Sequence, residues 1–289
     1  MKSRFLLFIC LVVGLVGCTG SPTAISLVGE ANSPQEVRTS ESTPSNPDEK
    51  AVLNIFAAAS LTEPFSEIGK LFENDHPGVT VIFNFSGSQQ LAQQINEGAP
   101  ADVFASANVE QMNTVIEAGE IISGMQQPFV HNRLVVIYPQ GNPVGLAKLQ
   151  DLAKPGLHLV LAAKEVPVGG YALGFLDKAS AVPAFGKSFR EAVLGNVVSY
   201  EENVKAVLTK VVLGEADAGI VYTSDISGQD AHEVGKLEIP DALNIIANYP
   251  IAPIKNRQNP ELASAFIDLV LAPEGQAIMM QYNFIPLTP

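Results

Sequence analysis

Three short stretches place small and hydroxyl-bearing residues in front of a helix-forming run. They are Ala57-Ala58-Ala59-Ser60-Leu61-Thr62-Glu63, Ser86-Gly87-Ser88-Gln89-Gln90-Leu91 and Glu202-Asn203-Val204. Val166-Pro167-Val168-Gly169-Gly170-Tyr171 is a fourth of similar kind. A helix start exposes N–H groups with no partner inside the helix, at the positive end of its dipole. Such ends hold phosphate-like anions without any cationic side chain. That chemistry suits these loops, because none carries Arg and Lys205 lies just beyond the third. Each loop also has a plain structural reading. Ser60 with Glu63 three residues on makes a capping box, and Asn203 is an ordinary N-cap. No Gly-Lys-Ser/Thr occurs, which excludes a nucleotide P-loop.

These loops need strands that end at them and helices that begin there. From Val52 the chain supplies both. Val52–Phe56 reads as a buried strand and Val79–Phe85 as another. Between them Phe65, Ile68, Leu71 and Phe72 form a helical stripe. A helix through Leu91 and Ile95 stops at Gly98-Ala99-Pro100. Val103-Phe104, Leu134–Tyr138, Leu157–Ala162, Val197-Val198, Ala218–Tyr222 and Asn244–Tyr249 read as extended. Val109–Ala118, Ala172–Ala179, Phe189–Leu194, Val204–Leu213 and Pro260–Met280 read as helical. Strand–helix alternation predicts an α/β protein with mostly parallel sheets covered on both faces. The length of the body suggests two lobes, and no linker divides them, so the chain crosses between lobes more than once.

The first 50 residues have another character. Lys2 and Arg4 precede an apolar run from Phe5 to Gly17, 13 residues long. A membrane span needs about 20, so a secretory signal peptide over 1–17 fits better. Leu15-Val16-Gly17-Cys18 resembles the lipobox of bacterial lipoproteins, with cleavage before Cys18 and lipid on its thiol. Residues 19–50 contain 14 Ser, Thr or Pro in 32 and no aromatic residue, which reads as a flexible tether. Cleavage also removes Cys10, so the mature chain forms no internal disulfide.

Charge limits the partners. The formal net charge is −13, and loss of Lys2 and Arg4 takes it to −15. A nucleic-acid partner needs a basic surface and is excluded. The hydrophobic share of 47% is ample for a core, which excludes a wholly disordered chain. His76, His131, His158 and His232 are scattered without ligand spacing, so no metal-cation site is expected. No Gly-x-Ser-x-Gly occurs and the His residues lie in no hydrolase motif, so no catalytic residue and no enzyme is expected.

Four motifs stand in order: Ala57-Ala58-Ala59-Ser60-Leu61, Gly98-Ala99-Pro100-Ala101-Asp102-Val103-Phe104, Val166-Pro167-Val168-Gly169 with Tyr171-Ala172, and Gly219-Ile220-Val221-Tyr222 with Ser224-Asp225. Together they resemble the periplasmic molybdate-binding proteins of ABC importers, over most of residues 52–289. The resemblance implies a type II periplasmic-binding-protein-like fold, two α/β lobes with an oxyanion in the cleft between them. It implies lobe I from 51–135 plus 250–289 and lobe II from 136–249. It implies that Ser60 and Ser88 each give a hydroxyl and a backbone N–H, that Val168 and Val204 give backbone N–H groups, and that Tyr222 gives its phenol. Ser88 is aligned here in preference to Ser86. Gly87, Gln89 and Gln90 depart from the Ser-rich family pattern, and Val168 is larger than its counterpart in some relatives; both departures bear on cavity size. Without the resemblance, Tyr222 reads equally as core. Asp102 reads as structural and Asp225 as a cap or loop residue.

The implied function is an extracytoplasmic, lipid-anchored binding protein at the cell membrane. It takes up molybdate or tungstate, requires no cofactor, works as a monomer, and delivers its ligand to a permease and its ATPase. A binder of sulfate or phosphate is the alternative within the same class.

Overall fold

The computed structural model describes residues 51–227 and 232–287. The expected signal peptide, Cys18 and the tether lie outside them. The folded body belongs to one compact unit, Asn46–Pro289.

β1 (Ala51–Ala58) leads through a single 3-10 turn (Ala59–Leu61) into α1 (Thr62–Asp75). β2 (Val79–Ser86), α2 (Ser88–Asn96), β3 (Val103–Ala105), α3 (Val109–Glu117) and β4 (Gln127–Asn132) follow. A second run holds β5 (Leu134–Pro139), β6 (Leu159–Ala162), α4 (Pro167–Ser180), α5 (Phe189–Gly195), β7 (Val197–Glu201), α6 (Val204–Val212), β8 (Ala218–Tyr222) and β9 (Val234–Glu238). The chain closes with β10 (Ala247–Pro253), α7 (Pro260–Leu271), α8 (Pro273–Gln281) and β11 (Ile285–Pro286).

The strands form two sheets, in the orders β11-β4-β10-β3-β1-β2 and β7-β6-β8-β5-β9. Both are mixed rather than mostly parallel. β1 runs parallel to β2 and β3, and β6 parallel to β7 and β8. Four of the five antiparallel pairings involve β5 or β10, the strands on which the chain enters a lobe, and the fifth joins β11 to β4. Sheet membership changes at Arg133 and again between Glu238 and Ala247. The strands cross the expected limits at 135/136 and 249/250 by a few residues. Leu134 and Val135 belong to the second sheet, and Ala247–Tyr249 to the first.

Apolar periodicity explains the layers. α1 buries Phe65, Ile68 and Phe72, and the Phe65 ring lies 5.8 Å from Phe129 and 5.7 Å from Phe266. On the opposite face of that sheet, Leu91 and Ile95 of α2 join Phe56, Phe104, Met112 and Val115 in a second cluster. In the other lobe α6 buries Val204, Val207, Leu208 and Val211. It approaches β8 so closely that a Cβ on Gly219 would lie 2.9 Å from Val207 Cγ1. Each fully buried apolar side chain contributes about 1.5–3 kcal/mol.

Asp102 fixes the loop that leads into β3. It is buried, and its carboxylate accepts from Asn54 N–H (2.8 Å) on β1 and from Gln258 N–H (3.0 Å) before α7. Truncation would strand both donors. Asp102→Ala is expected to lower unfolding free energy by about 1–3 kcal/mol in urea titrations; an unchanged midpoint would remove this structural role.

Candidate ligand cleft

The first wall is the turn after β1. Ser60 does not cap α1, contrary to the capping box expected with Glu63. Leu61 occupies the cap position, and no side chain bonds there. The inserted 3-10 turn redirects Ser60 to Tyr249, with Oγ to Oη at 2.8 Å. Thr62 Oγ1 donates to Ala59 O (2.7 Å) instead, and Glu63 reaches Lys205 Nζ at 2.8 Å.

The second wall is the turn between β2 and α2. Gly87 is extended and Ser88 opens the helix. Ser88 Oγ accepts the Ala107 N–H (3.0 Å), which leaves its own proton for another partner. The Ser86 hydroxyl donates to Gln90 Oε1. Both serines border the same space, but only the Ser88 proton is uncommitted among these contacts.

The other lobe supplies two helix starts and a strand end. Pro167 stands at the first position of α4, where its missing N–H costs nothing, and Val168 follows. A Cβ on Gly169 would sit 2.0 Å from Ala163 O, so only glycine lets α4 start this close to β6. Asn203 caps α6 by accepting the Ala206 N–H (3.0 Å), as its sequence position predicts, and Val204 opens the helix. Tyr222 ends β8. Its ring lies 6.4 Å from Tyr171 and 5.9 Å from Tyr249. Its hydroxyl is buried and makes no hydrogen bond of good geometry among the described residues, although the Tyr249 hydroxyl acts on it as a hydrogen-bonding neighbour.

Ser60, Ser88, Val168, Val204 and Tyr222 line one cavity together. The cavity volume is about 10 Å³, room for about one water as the lobes stand. No charged side chain is among its lining residues. Burial pushes the Tyr222 phenol well above its usual range, reinforced by Tyr249, Tyr171 and the Asp225 carboxylate. It is therefore a neutral O–H donor at any physiological pH. The first N–H groups of α2, α4 and α6 precede each helix's first internal bond. The arrangement thus offers donors from both lobes and suits a ligand that only accepts.

Contacts around the rim join the lobes. Gln89 Nε2 donates to Glu202 O (2.9 Å) and Gln90 Nε2 to Glu202 Oε2 (3.1 Å). The two glutamines that depart from the family pattern therefore do not line the cavity; they span the cleft above it. The Lys205–Glu63 ion pair spans it too, and Lys205 lies 3.9 Å from Asp225.

A family model for bacterial extracellular solute-binding proteins matches residues 53–285. The chain belongs to this family. The molybdate-binding protein ModA of Mycobacterium tuberculosis is 38% identical over 274 residues, 95% of this chain and 94% of the relative. ModA of Escherichia coli is 30% identical over 80% of this chain and 88% of its own length. The solved periplasmic molybdate-binding protein of Azotobacter vinelandii superposes with a TM-score of 0.69, covering 82% of this chain and all of that one. Its 18% identity supports the fold alone.

Two features of this cleft escaped the sequence. Tyr249 read only as part of a strand, since its partner Ser60 is 189 residues away. Glu202 read only as the residue before a cap. Gly87 gains a second role here. Its backbone is unstrained for any residue (φ −60°, ψ 136°), yet a Cβ would lie 2.5 Å from Glu202 O in the facing lobe. Gly87→Ala is therefore expected to leave thermal unfolding nearly unchanged and to resist lobe closure. Small-angle scattering would read a larger radius of gyration than wild type under matched conditions; identical radii would sink this role.

Proposed function

We propose that this solute-binding protein captures molybdate or tungstate in the cleft and delivers it to a membrane permease driven by a cytoplasmic ATPase. The observation that carries this reading is the cavity itself, lined by neutral donors from both lobes and by no charged side chain. A tetrahedral dianion is acceptor-only and can take several short, charge-assisted hydrogen bonds at once. Ser60 and Ser88 give hydroxyl and backbone donors, Val168 and Val204 give backbone N–H groups, and Tyr222 gives its buried phenol. The side chains of Val168 and Val204 set the size of the space rather than its polarity. Closure removes water, so each donor acts in a medium of low dielectric. The relatives named for molybdate binding support the choice of oxyanion. Sulfate and phosphate are the competing ligands.

A thermal-shift series with molybdate, tungstate, sulfate and phosphate separates these readings. Ligand at 100 times its dissociation constant adds about 2.7 kcal/mol of stability. Molybdate and tungstate are expected to raise the melting temperature well below the concentrations that sulfate needs; equal potency of sulfate would overturn the assignment. Ser60→Ala is expected to weaken molybdate binding by about 1–3 kcal/mol in calorimetry. Unchanged affinity would remove Ser60 from the site.

The reading extends to the membrane. Cys18, at the end of the lipobox-like Leu15–Cys18, carries a lipid that holds a monomeric body at the outer face of the cell membrane. Cys18→Ala is expected to move the protein from the membrane fraction to the soluble extracytoplasmic fraction. Retention in the membrane fraction would remove the lipid anchor.

A further inference from the structure

We propose that Asn132 and Tyr249 are positioning residues that lock the Ser60 hydroxyl into donating toward the cavity. This rests on the oxyanion reading and assigns the origin of its selectivity.

Asn132 is fully buried at the end of β4, where the chain leaves the first sheet. Its Oδ1 accepts the Arg133 N–H (2.9 Å) and the Thr223 hydroxyl (3.1 Å). A backbone N–H can only donate, so the orientation of the amide is settled. Its Nδ2 then faces Ser224 Oγ (2.8 Å) and Tyr249 Oη (3.4 Å) and donates to both. Asn132 fills one acceptor position of Tyr249 Oη, and in the proposed relay the Tyr249 proton goes to Ser60 Oγ, 2.8 Å away, rather than to the neighbouring Tyr222 hydroxyl. Ser60 accepts that proton, and its remaining hydrogen points to the cavity that it lines. All three side chains are buried, so bulk water offers no other way round the chain. Burial also pushes the Tyr249 phenol well above its usual range, which keeps the relay protonated.

The consequence concerns protonation of the ligand. A fully deprotonated oxyanion accepts from Ser60. An anion that turns its own O–H toward Ser60 meets a hydrogen instead of a lone pair. Thr223 and Ser224 follow β8 of the second lobe, so both lobes hold the amide that sets this direction. A lone Ser60 hydroxyl would rotate to suit either ligand.

The test is calorimetry on the full mature chain with molybdate and with phosphate at neutral pH, where phosphate still carries a proton. Tyr249→Phe keeps the ring contacts to Phe129, Tyr222 and Phe284 and removes only the O–H. Molybdate affinity is expected to fall about tenfold while phosphate affinity does not fall. Ser60→Ala is expected to cost less in this background than in wild type. Parallel loss of both anions, or additive costs of Tyr249→Phe and Ser60→Ala, would overturn the positioning role. A wild-type protein that binds no molybdate would overturn the oxyanion reading itself, before any variant is made.

Discussion

The structure depends on one constraint: the cavity between the lobes gathers hydrogen-bond donors and is lined by no charged side chain. A buried donor left unpaired costs about 1–3 kcal/mol. The Tyr222 hydroxyl comes near to this, buried with the Tyr249 hydroxyl as its hydrogen-bonding neighbour and no bond of good geometry among the described residues. Helix starts lessen the conflict, because their leading N–H groups have no internal partner in any case. A ligand that accepts from all of them stabilises the closed arrangement far more than any open one. Ligand and closure are then linked by differential affinity, and neither needs a separate cause.

The remaining architecture serves that constraint. Parallel strands β1 and β2, and β6 and β8, end at the same cleft, so the turns that follow them face one another. Close approach demands small residues, and glycine appears where a Cβ would strike a backbone carbonyl: Gly169 against Ala163 within one lobe, Gly87 against Glu202 across the lobes. The crossings between lobes, at Arg133 and before β10, lie beside Asn132 and Tyr249. The residues that link the lobes are thereby also those that hold Ser60.

Legibility in the sequence followed the range of the interactions. Strands β1, β2, β6 and β8 were readable because they are apolar runs with clear flanks. β4, β9 and β11 were not: β4 begins Gln127-Pro128, β9 alternates Val234-Gly235-Lys236-Leu237-Glu238, and β11 has two residues. These strands pair antiparallel, which is why the sheets read as more parallel than they are. Asn203 was readable as a cap because its partner is three residues away. The capping alternative for Ser60 failed for the opposite reason. A local motif competed with a partner in β10, and the buried long-range bond prevailed.

Net charge shows the same separation of scales. The whole chain stands at −13, and its distant field repels an anion. Lys205, the cation beside the third loop, reaches Glu63 at 2.8 Å and Asp225 at 3.9 Å, so acidic neighbours offset its charge at the rim. Attraction must then come from dipoles within hydrogen-bond range, where exclusion of water strengthens them and salt screens them little. Such a site gives up long-range steering. In return it responds to what a bare cation ignores: whether each oxygen of the ligand carries a proton. An ammonium group attracts any anion of a given charge. A hydroxyl whose hydrogen is held toward the ligand donates only to a lone pair. An acidic exterior and a donor-rich interior are therefore compatible, and the second property is the one that discriminates.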